Sequence, residues 1–273
     1  MQDVRKSPPK APRRGIYLLP NLFTTGALFA GFYAIIAAMK GQFETAAIAV
    51  FLAMLLDGLD GRVARLTNTQ SDFGAEYDSL SDMASFGLAP ALVMYQWSLI
   101  HLVELGPAWG KAGWLAAFIF AASAALRLAR FNTQIGLADK RYFQGLASPA
   151  AAAVIVGAVW LSEIYDVSGQ DVMIPAMLLT LITGFLMVSR FSYYSFKDLD
   201  LRKRVPFVAV LAMVLIFVFL SIETATVLFS SFFLYMLSGP LVSLFRWNRK
   251  RQRQSEHTEE KPADVSEEKP PAD

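Results

Sequence analysis

The strongest constraint on the fold is the arrangement of apolar residues, which occur in long runs separated by short charged segments. A helix needs roughly 20 mostly apolar residues to cross the hydrocarbon core of a bilayer. With 55% hydrophobic residues and a mean hydropathy of +0.40, the chain has enough apolar sequence for several such helices. We predict an all-α, polytopic transmembrane helix bundle with eight spans, at about 18–39, 42–59, 79–101, 112–131, 147–164, 172–190, 206–222 and 225–245.

Basic residues are distributed unevenly between the two sides that these spans define. Eight spans place both termini on one side, and all but Lys40 and Lys111 of the 25 Lys and Arg residues then fall on that side. Because cytoplasmic loops carry an excess of Lys and Arg, we predict that both termini face the cytoplasm. The membrane domain covers residues 15–250, and the basic segment 1–14 and the polar segment 251–273 are predicted to be disordered tails.

Two scarce residue types restrict the chemistry. The chain has no cysteine, and its two histidines are His101, at the end of a predicted span, and His257, in the polar tail. This composition excludes disulfides and thiolate metal sites and argues against a catalytic triad built on histidine. Acid–base or metal chemistry in this chain must therefore use carboxylates.

Four aspartates are placed where two predicted spans meet the cytoplasm. Asp57 and Asp60 are spaced i,i+3 at the end of the second span, and Asp78 and Asp82 are spaced i,i+4 at the start of the third. Each spacing puts two side chains on one helix face, roughly 5–6 Å apart, and a short connection brings the two pairs together. Such carboxylates repel one another unless cations compensate them, and a ligand set of oxygen atoms favours Mg²⁺ or Mn²⁺. We predict that the four aspartates hold two divalent cations.

Small and basic residues beside the aspartates suit a ligand that carries phosphate. Gly61 and Gly74 flank the predicted loop and let the backbone approach a bulky ligand. Ala64 is small, Arg65 offers a planar fork for a phosphate, and Ser71 offers a hydroxyl in the loop.

The acids are also compatible with other interpretations. Asp72 and Glu76 are explained as well by solvated helix caps as by a role in the acidic site. The whole cluster would alternatively be the ion site of a cation transporter. Transporters usually place that site near the bilayer midplane, whereas these acids are predicted to lie at the cytoplasmic end.

The segment resembles the signature of the CDP-alcohol phosphatidyltransferases, Asp-Gly-x₂-Ala-Arg-x₈-Gly-x₃-Asp-x₃-Asp. Its fixed positions are matched by Asp60, Gly61, Ala64, Arg65, Gly74, Asp78 and Asp82, with Asp57 preceding them. The start of the first span, Pro20-Asn21-Leu-Phe-Thr24-Thr25, is similar to a Pro-Asn-x-x-Thr segment of the same family, which lies near the nucleotide.

Two later segments look like the bacterial phosphatidylserine synthase branch of that family. They are Arg127-Leu-Ala-Arg130-Phe-Asn132 and Phe143-Gln-Gly145-Leu-Ala147-Ser148-Pro149. Many members of the branch have Pro where Ala147 stands, so the acceptor is less closely defined than the reaction class. From the residues alone, the i,i+3 pair Arg127 and Arg130 would bind an anionic carboxylate or anchor a helix end at the cytoplasmic side.

The resemblance implies an activity, a location and a set of roles. CDP-diacylglycerol would give its phosphatidyl group to L-serine, releasing CMP, in a homodimer of the bacterial cytoplasmic membrane with the site facing the cytoplasm. Asp82 would also act as the general base. Residues expected to bind the CDP lipid are Asn21, Thr24, Thr25, Gly61, Ala64, Arg65, Ser71 and Gly74. Residues expected to bind the acceptor are Arg127, Arg130, Asn132, Gly145 and Ser148. Glycerol 3-phosphate, inositol phosphate and choline remain alternative acceptors, and no nucleic-acid partner is expected.

Overall fold

The computed structural model describes residues 18–67, 69, 71–133, 142–194 and 223–259. These residues are almost entirely helical, as the apolar runs predicted. In chain order the elements are α1 (Leu18–Met39), α2 (Phe43–Thr67), α3 (Asp72–Asp82), a π-helix (Met83–Leu88), α4 (Ala89–Trp97), a 3₁₀-helix (Leu99–Leu105), α5 (Pro107–Thr133), β1 (Tyr142–Gln144), α6 (Ser148–Ile164), α7 (Met173–Val188), β2 (Ser192–Tyr194) and α8 (Thr224–Glu259).

Several of the described helices are suited to a membrane. Three are long and apolar enough to cross one: Leu19–Met39, Pro107–Thr133 and Thr224–Ser243. A fourth candidate span joins Asp72–Trp97 to Leu99–Leu105 across a bend of 41°. These helices indicate an integral membrane protein.

The count of eight spans stays a prediction. Helices α6 and α7 are apolar but shorter than the helices of membrane-spanning length. The predicted second span lies on α2, whose apolar stretch is interrupted by Glu44, Asp57 and Asp60. The predicted span 206–222 lies outside the described residues.

Among the described residues, α1 and α2 share the most extensive helix–helix contact. They are joined by a tight turn at Gly41, which has a φ of +72°. Small side chains line the contact and let the two backbones approach closely. The buried alanines of the two helices are Ala27, Ala30, Ala34, Ala37 and Ala38 on α1 and Ala46, Ala47, Ala49 and Ala53 on α2. This packing places the start of α1 beside the end of α2, where the aspartates lie.

Helix α6 is the central element. It is buried on every side from Ala150 to Gly157, and it contacts α2, α4, α7 and α8. A helix that is apolar all round belongs in the interior of a bundle. Its first residue, Ser148, lies at the same end of the bundle as the aspartates, since it accepts a hydrogen bond from Arg127, which interacts electrostatically with Asp82.

Three local features differ from the sequence prediction. Helix α2 continues to Thr67 and α3 begins at Asp72, so Gly61 and Gly74 lie inside helices and do not flank the loop as predicted. The bundle also contains a small antiparallel pair, β1 and β2, in which Phe143 is opposite Tyr193. Helix α8 continues to Glu259, beyond the start of the predicted tail at 251. The predicted N-terminal tail and residues 260–273 lie outside the described residues.

Candidate active site

Three aspartates converge between α2 and α3. Asp57, Asp60 and Asp78 each offer a carboxylate oxygen, and these oxygens all lie within 4.8 Å of one another. Asp82 does not belong to this set, although the charges of Asp57 and Asp78 both act on it. The predicted group of four is therefore observed as three convergent carboxylates with a fourth beside them.

The residues present fit a divalent cation. The Oδ1 atoms of Asp78 and Asp82 are buried and have no hydrogen-bond partner in the described part of the chain. Among the described residues, no Lys or Arg forms an ion pair with any of the four aspartates. Buried carboxylate oxygens without partners are costly, and a cation held by the three convergent carboxylates would remove that cost at Asp78 and offset the charge of the neighbouring Asp82. Mg²⁺ and Mn²⁺ both suit this ligand set.

A cavity of about 380 Å³ lies next to the aspartates. It is within the usual size range of small-molecule sites. Residues predicted to bind the CDP lipid that line it are Asn21, Thr24, Gly61, Ala64, Arg65, Ser71 and Gly74. Thr25 is not among the lining residues; its hydroxyl donates to the Asn21 carbonyl at 2.7 Å and lies 3.0 Å from the Tyr77 hydroxyl.

Local structure explains how α3 presents its residues to this cavity. Ser71 is the N-cap of α3, and its Oγ accepts a hydrogen bond from the Gly74 N–H at 3.0 Å. An N-cap of this kind satisfies one of the free N–H groups of the first turn and fixes where the helix begins. Ser71 therefore has a structural partner as well as a place in the cavity wall.

Some lining residues were missed by the sequence analysis or left open by it. Thr69, Asp72 and Ala75 line the cavity together with the predicted residues. Thr69 falls among the unspecified positions between Arg65 and Gly74, where spacing carries no signal. Ala75 is three residues before Asp78, so the helical period of α3 offered a signal for it, whereas Asp72 was left open as a helix cap.

A π-helix begins directly after Asp82. Single π-turns within helices often occur at functional sites, and this one was not predicted. Helix α1 packs tightly against it, since a Cβ on Gly31 would lie 2.7 Å from Ser85 Cα. Ser85 Oγ also donates to the Ala27 carbonyl at 3.1 Å. These contacts anchor the segment that follows Asp82 to α1.

Two of the predicted acceptor residues contact each other beside the aspartates. Arg127 Nη1 donates to Ser148 Oγ at 3.1 Å, and the guanidinium also interacts electrostatically with the Asp82 carboxylate. The Nε of Arg127 is buried and has no hydrogen-bond partner among the described residues. Arg127 therefore has donor capacity available next to Asp82.

The other predicted acceptor residues have structural partners. Arg130 Nη2 donates to Gln144 Oε1 at 2.9 Å, which joins α5 to β1. Asn132 Nδ2 donates to Ser79 Oγ at 3.0 Å, which joins α5 to α3. Gly145 has a φ of +80° in the turn before α6. The structure thus groups Arg127 and Ser148 and places the other three in the framework around them.

Ala147, where the sequence departs from the family pattern, has a φ of −62°. This is the value at which a proline ring fixes the backbone. The alanine therefore keeps the conformation that proline would impose, and the departure does not alter the path of the chain into α6.

These features define a class, namely a helical integral membrane protein with three convergent carboxylates that could hold a cation, beside a cavity. Residues 17–188 match the CDP-alcohol phosphatidyltransferase family, and the chain belongs to that family. The sequence-based assignment is confirmed, and the chain is an enzyme of this transferase class.

Curated relatives share one name. The chain is 37% identical over 207 residues to the CDP-diacylglycerol–serine O-phosphatidyltransferase of Helicobacter pylori (strain ATCC 700392 / 26695), covering 76% of this chain and 84% of the relative. It is 40% identical over 153 residues to the protein of that name from Mycobacterium bovis, covering 53% and 50% of the two chains. The similarly named protein of Methanocaldococcus jannaschii is 38% identical over 144 residues, covering 53% and 61%.

Proposed function

We propose that this enzyme transfers the phosphatidyl group of CDP-diacylglycerol to the hydroxyl of L-serine, giving phosphatidylserine and CMP. The observation that carries the proposal is the position of Arg127 and Ser148, which contact each other beside Asp82 at the edge of the aspartate cluster. A cationic fork next to a carboxylate base is what an amino acid acceptor requires. The names of the relatives favour the same acceptor.

The donor would bind with its acyl chains in the bilayer and its head group in the cavity. Arg65 lines that cavity and offers a planar fork for the phosphates. Gly61 and Ala64 keep the adjoining surface of α2 free of bulky side chains. Mg²⁺ or Mn²⁺ held by Asp57, Asp60 and Asp78 would neutralise charge on the pyrophosphate.

The acceptor would bind between Arg127 and Asp82. Arg127 binds the serine carboxylate, which orients the hydroxyl toward the donor. Asp82 takes the hydroxyl proton, and the serine oxygen forms a bond to the phosphorus that carries diacylglycerol. The bond from that phosphorus to the CMP oxygen breaks, and CMP leaves. Direct displacement is the simpler route, because the chain has no cysteine and His101 is paired with Glu104.

Other acceptors are less well supported by the contacts. A phosphorylated alcohol such as glycerol 3-phosphate or inositol phosphate would require several basic groups, and Arg130 is already bonded to Gln144. Choline has no anionic group for Arg127 to bind. We also propose that the site faces the cytoplasm of a bacterial cytoplasmic membrane and that the enzyme is a homodimer, as the family resemblance implies.

The proposal is tested by measuring CMP release from CDP-diacylglycerol by the purified enzyme with each alcohol in turn. We expect release with serine and not with glycerol 3-phosphate, inositol phosphate or choline. Removal of divalent cations with a chelator should stop the reaction, and added Mg²⁺ or Mn²⁺ should restore it. Release with another of these alcohols but not with serine would contradict the proposed acceptor.

A further inference from the structure

Thr24 occupies an unusual position in α1, because it contacts both helices that carry the aspartates. Its Oγ1 lies 2.7 Å from Asp60 Oδ2 and 3.2 Å from the Pro20 carbonyl oxygen. A hydroxyl has one proton to donate. The shorter contact has the length of a hydrogen bond to a charged carboxylate, so the proton is directed to Asp60.

Both partners of this hydrogen bond are buried. Thr24 is 4% exposed and Asp60 is 5% exposed, although both side chains reach the wall of the cavity. With its proton committed to Asp60, the Thr24 hydroxyl is a poor donor to a nucleotide. The hydroxyl instead holds one carboxylate oxygen of Asp60 and restricts rotation of that group.

The same residue also contacts α3. Ser81 Oγ donates to the Thr24 carbonyl oxygen at 3.2 Å, and Ser81 lies between Asp78 and Asp82 in the sequence. Asp60 on α2 and the aspartate-bearing turn of α3 are therefore both hydrogen-bonded to one residue of α1. Groups that orient metal ligands in this way commonly set the affinity of the site.

We propose that Thr24 is a positioning residue of the cation site, which sets the orientation of Asp60 and its spacing from Asp78. This differs from the nucleotide contact expected from the sequence. The inference rests on the proposed cation site and not on the identity of the acceptor alcohol. It predicts that loss of the hydroxyl weakens cation binding before any substrate is present.

The test measures Mn²⁺ binding to the purified, substrate-free protein. Electron paramagnetic resonance reports the concentration of free Mn²⁺ during the titration. Thr24→Val removes the donor and nearly conserves the shape, and we expect affinity to fall by about ten- to a hundredfold. Thr24→Ser restores a donor and should bind Mn²⁺ nearly as the parent does. Thr180→Val is the matched control, since Thr180 is also buried but its hydroxyl bonds to the Ala176 carbonyl of its own helix.

Activity provides a second readout. A positioning role predicts that a higher Mn²⁺ concentration restores turnover of Thr24→Val, with little change in the KM for CDP-diacylglycerol at saturating metal. A raised KM at saturating Mn²⁺ would instead show that Thr24 contacts the nucleotide, and would overturn the inference. If Thr24→Val does not purify as a folded protein, Thr24→Ala is titrated in its place.

Two further variants test the existence of the cation site separately from the positioning role of Thr24. Asp60→Asn and Asp78→Asn should each remove most Mn²⁺ binding. Parent-like affinity in both would show that the proposed cation site is wrong. Loss of binding in both, with parent-like affinity in Thr24→Val, would show that the site is right and the positioning role is wrong.

Discussion

At the scale of single residues, the structure suggests different tasks for the four aspartates. Asp57, Asp60 and Asp78 share one small space, whereas Asp82 lies beside them and interacts electrostatically with Arg127. A carboxylate that is bound to a cation is a poor base, because the cation disfavours protonation. The displaced position of Asp82 therefore supports its assignment as the proton acceptor.

Asp82→Asn is expected to keep cation binding and lose catalysis. The amide cannot accept the serine proton, and general-base catalysis contributes about 10²- to 10⁴-fold. The rate of CMP release should fall by about 10²- to 10⁴-fold. The affinity for Mn²⁺ without substrate should stay close to that of the parent. Asp57→Asn is the comparison, since it should weaken both Mn²⁺ binding and CMP release. Normal turnover of Asp82→Asn would exclude the general-base role.

Arg127→Lys is expected to raise the KM for serine more than the KM for CDP-diacylglycerol. Lysine keeps the charge but loses the planar fork, and hydrogen bonds to charged groups contribute about 1.5–3 kcal/mol. The KM for serine should therefore rise by roughly ten- to a hundredfold. Arg130→Lys serves as the control, because Arg130 bonds to Gln144 and should leave the KM for serine unchanged. Equal effects of the two variants would argue against an acceptor role specific to Arg127.

At the scale of elements, the turn before α6 determines where Ser148 lies. The Gly145 N–H donates to the Phe191 carbonyl at 2.9 Å, and the Leu146 N–H donates to the Leu186 carbonyl at 3.0 Å. The adjoining strand β2 is anchored in turn, since the Tyr193 hydroxyl donates to the Met236 carbonyl of α8 at 3.0 Å. The turn is thus held by backbone groups at and beyond the end of α7.

Gly145→Ala is expected to destabilise the protein by disturbing this turn. Its φ of +80° is unfavourable for alanine, and the added Cβ would lie 2.2 Å from the Met187 carbonyl oxygen. We expect a loss of about 1–3 kcal/mol, measured as a lower unfolding temperature in detergent. Gly184→Ala is the control, because its Cβ would meet Phe120 Cα at an ordinary 3.4 Å. Parent-like unfolding of Gly145→Ala would contradict this account of the turn.

At the scale of the whole molecule, the two ends of the bundle differ in character. The start of α1, the end of α2 and the start of α3 form the end that carries the cavity and the aspartates. The opposite end is held by side-chain hydrogen bonds, such as Trp97 Nε1 to Glu163 Oε1 at 2.9 Å and Ser98 Oγ to the Gly169 carbonyl at 2.6 Å. We predict from the positive-inside rule that the first of these ends faces the cytoplasm.

This orientation is testable, because the chain lacks cysteine and each introduced thiol would be unique. Leu66→Cys, at a position that is 83% exposed near the aspartates, should react with a membrane-impermeant maleimide only in inverted vesicles. Lys111→Cys, near the other end, should react only in intact cells. The reverse labelling pattern would place the active site on the outer face.

The sequence by itself determined the helical class, the family and the residues of the acidic motif. Helical period and apolar run length are local properties, so they can be recognised without a structure. The i,i+3 spacing of Asp57 and Asp60 and the i,i+4 spacing of Asp78 and Asp82 likewise indicated two acidic helix faces that a short connection brings together. Much of the cavity lining was anticipated, because six of its thirteen residues are fixed positions of the acidic motif.

Only the tertiary structure decided how these residues are supported. The bonds from Thr24 to Asp60, from Arg127 to Ser148 and from Asn132 to Ser79 each join different helices. Such contacts depend on the depth and rotation with which one helix packs against another, and periodicity does not encode those quantities. For that reason the sequence could indicate a cation site at Asp60, while the packing of α1 against α2 was needed to find the hydroxyl that holds it.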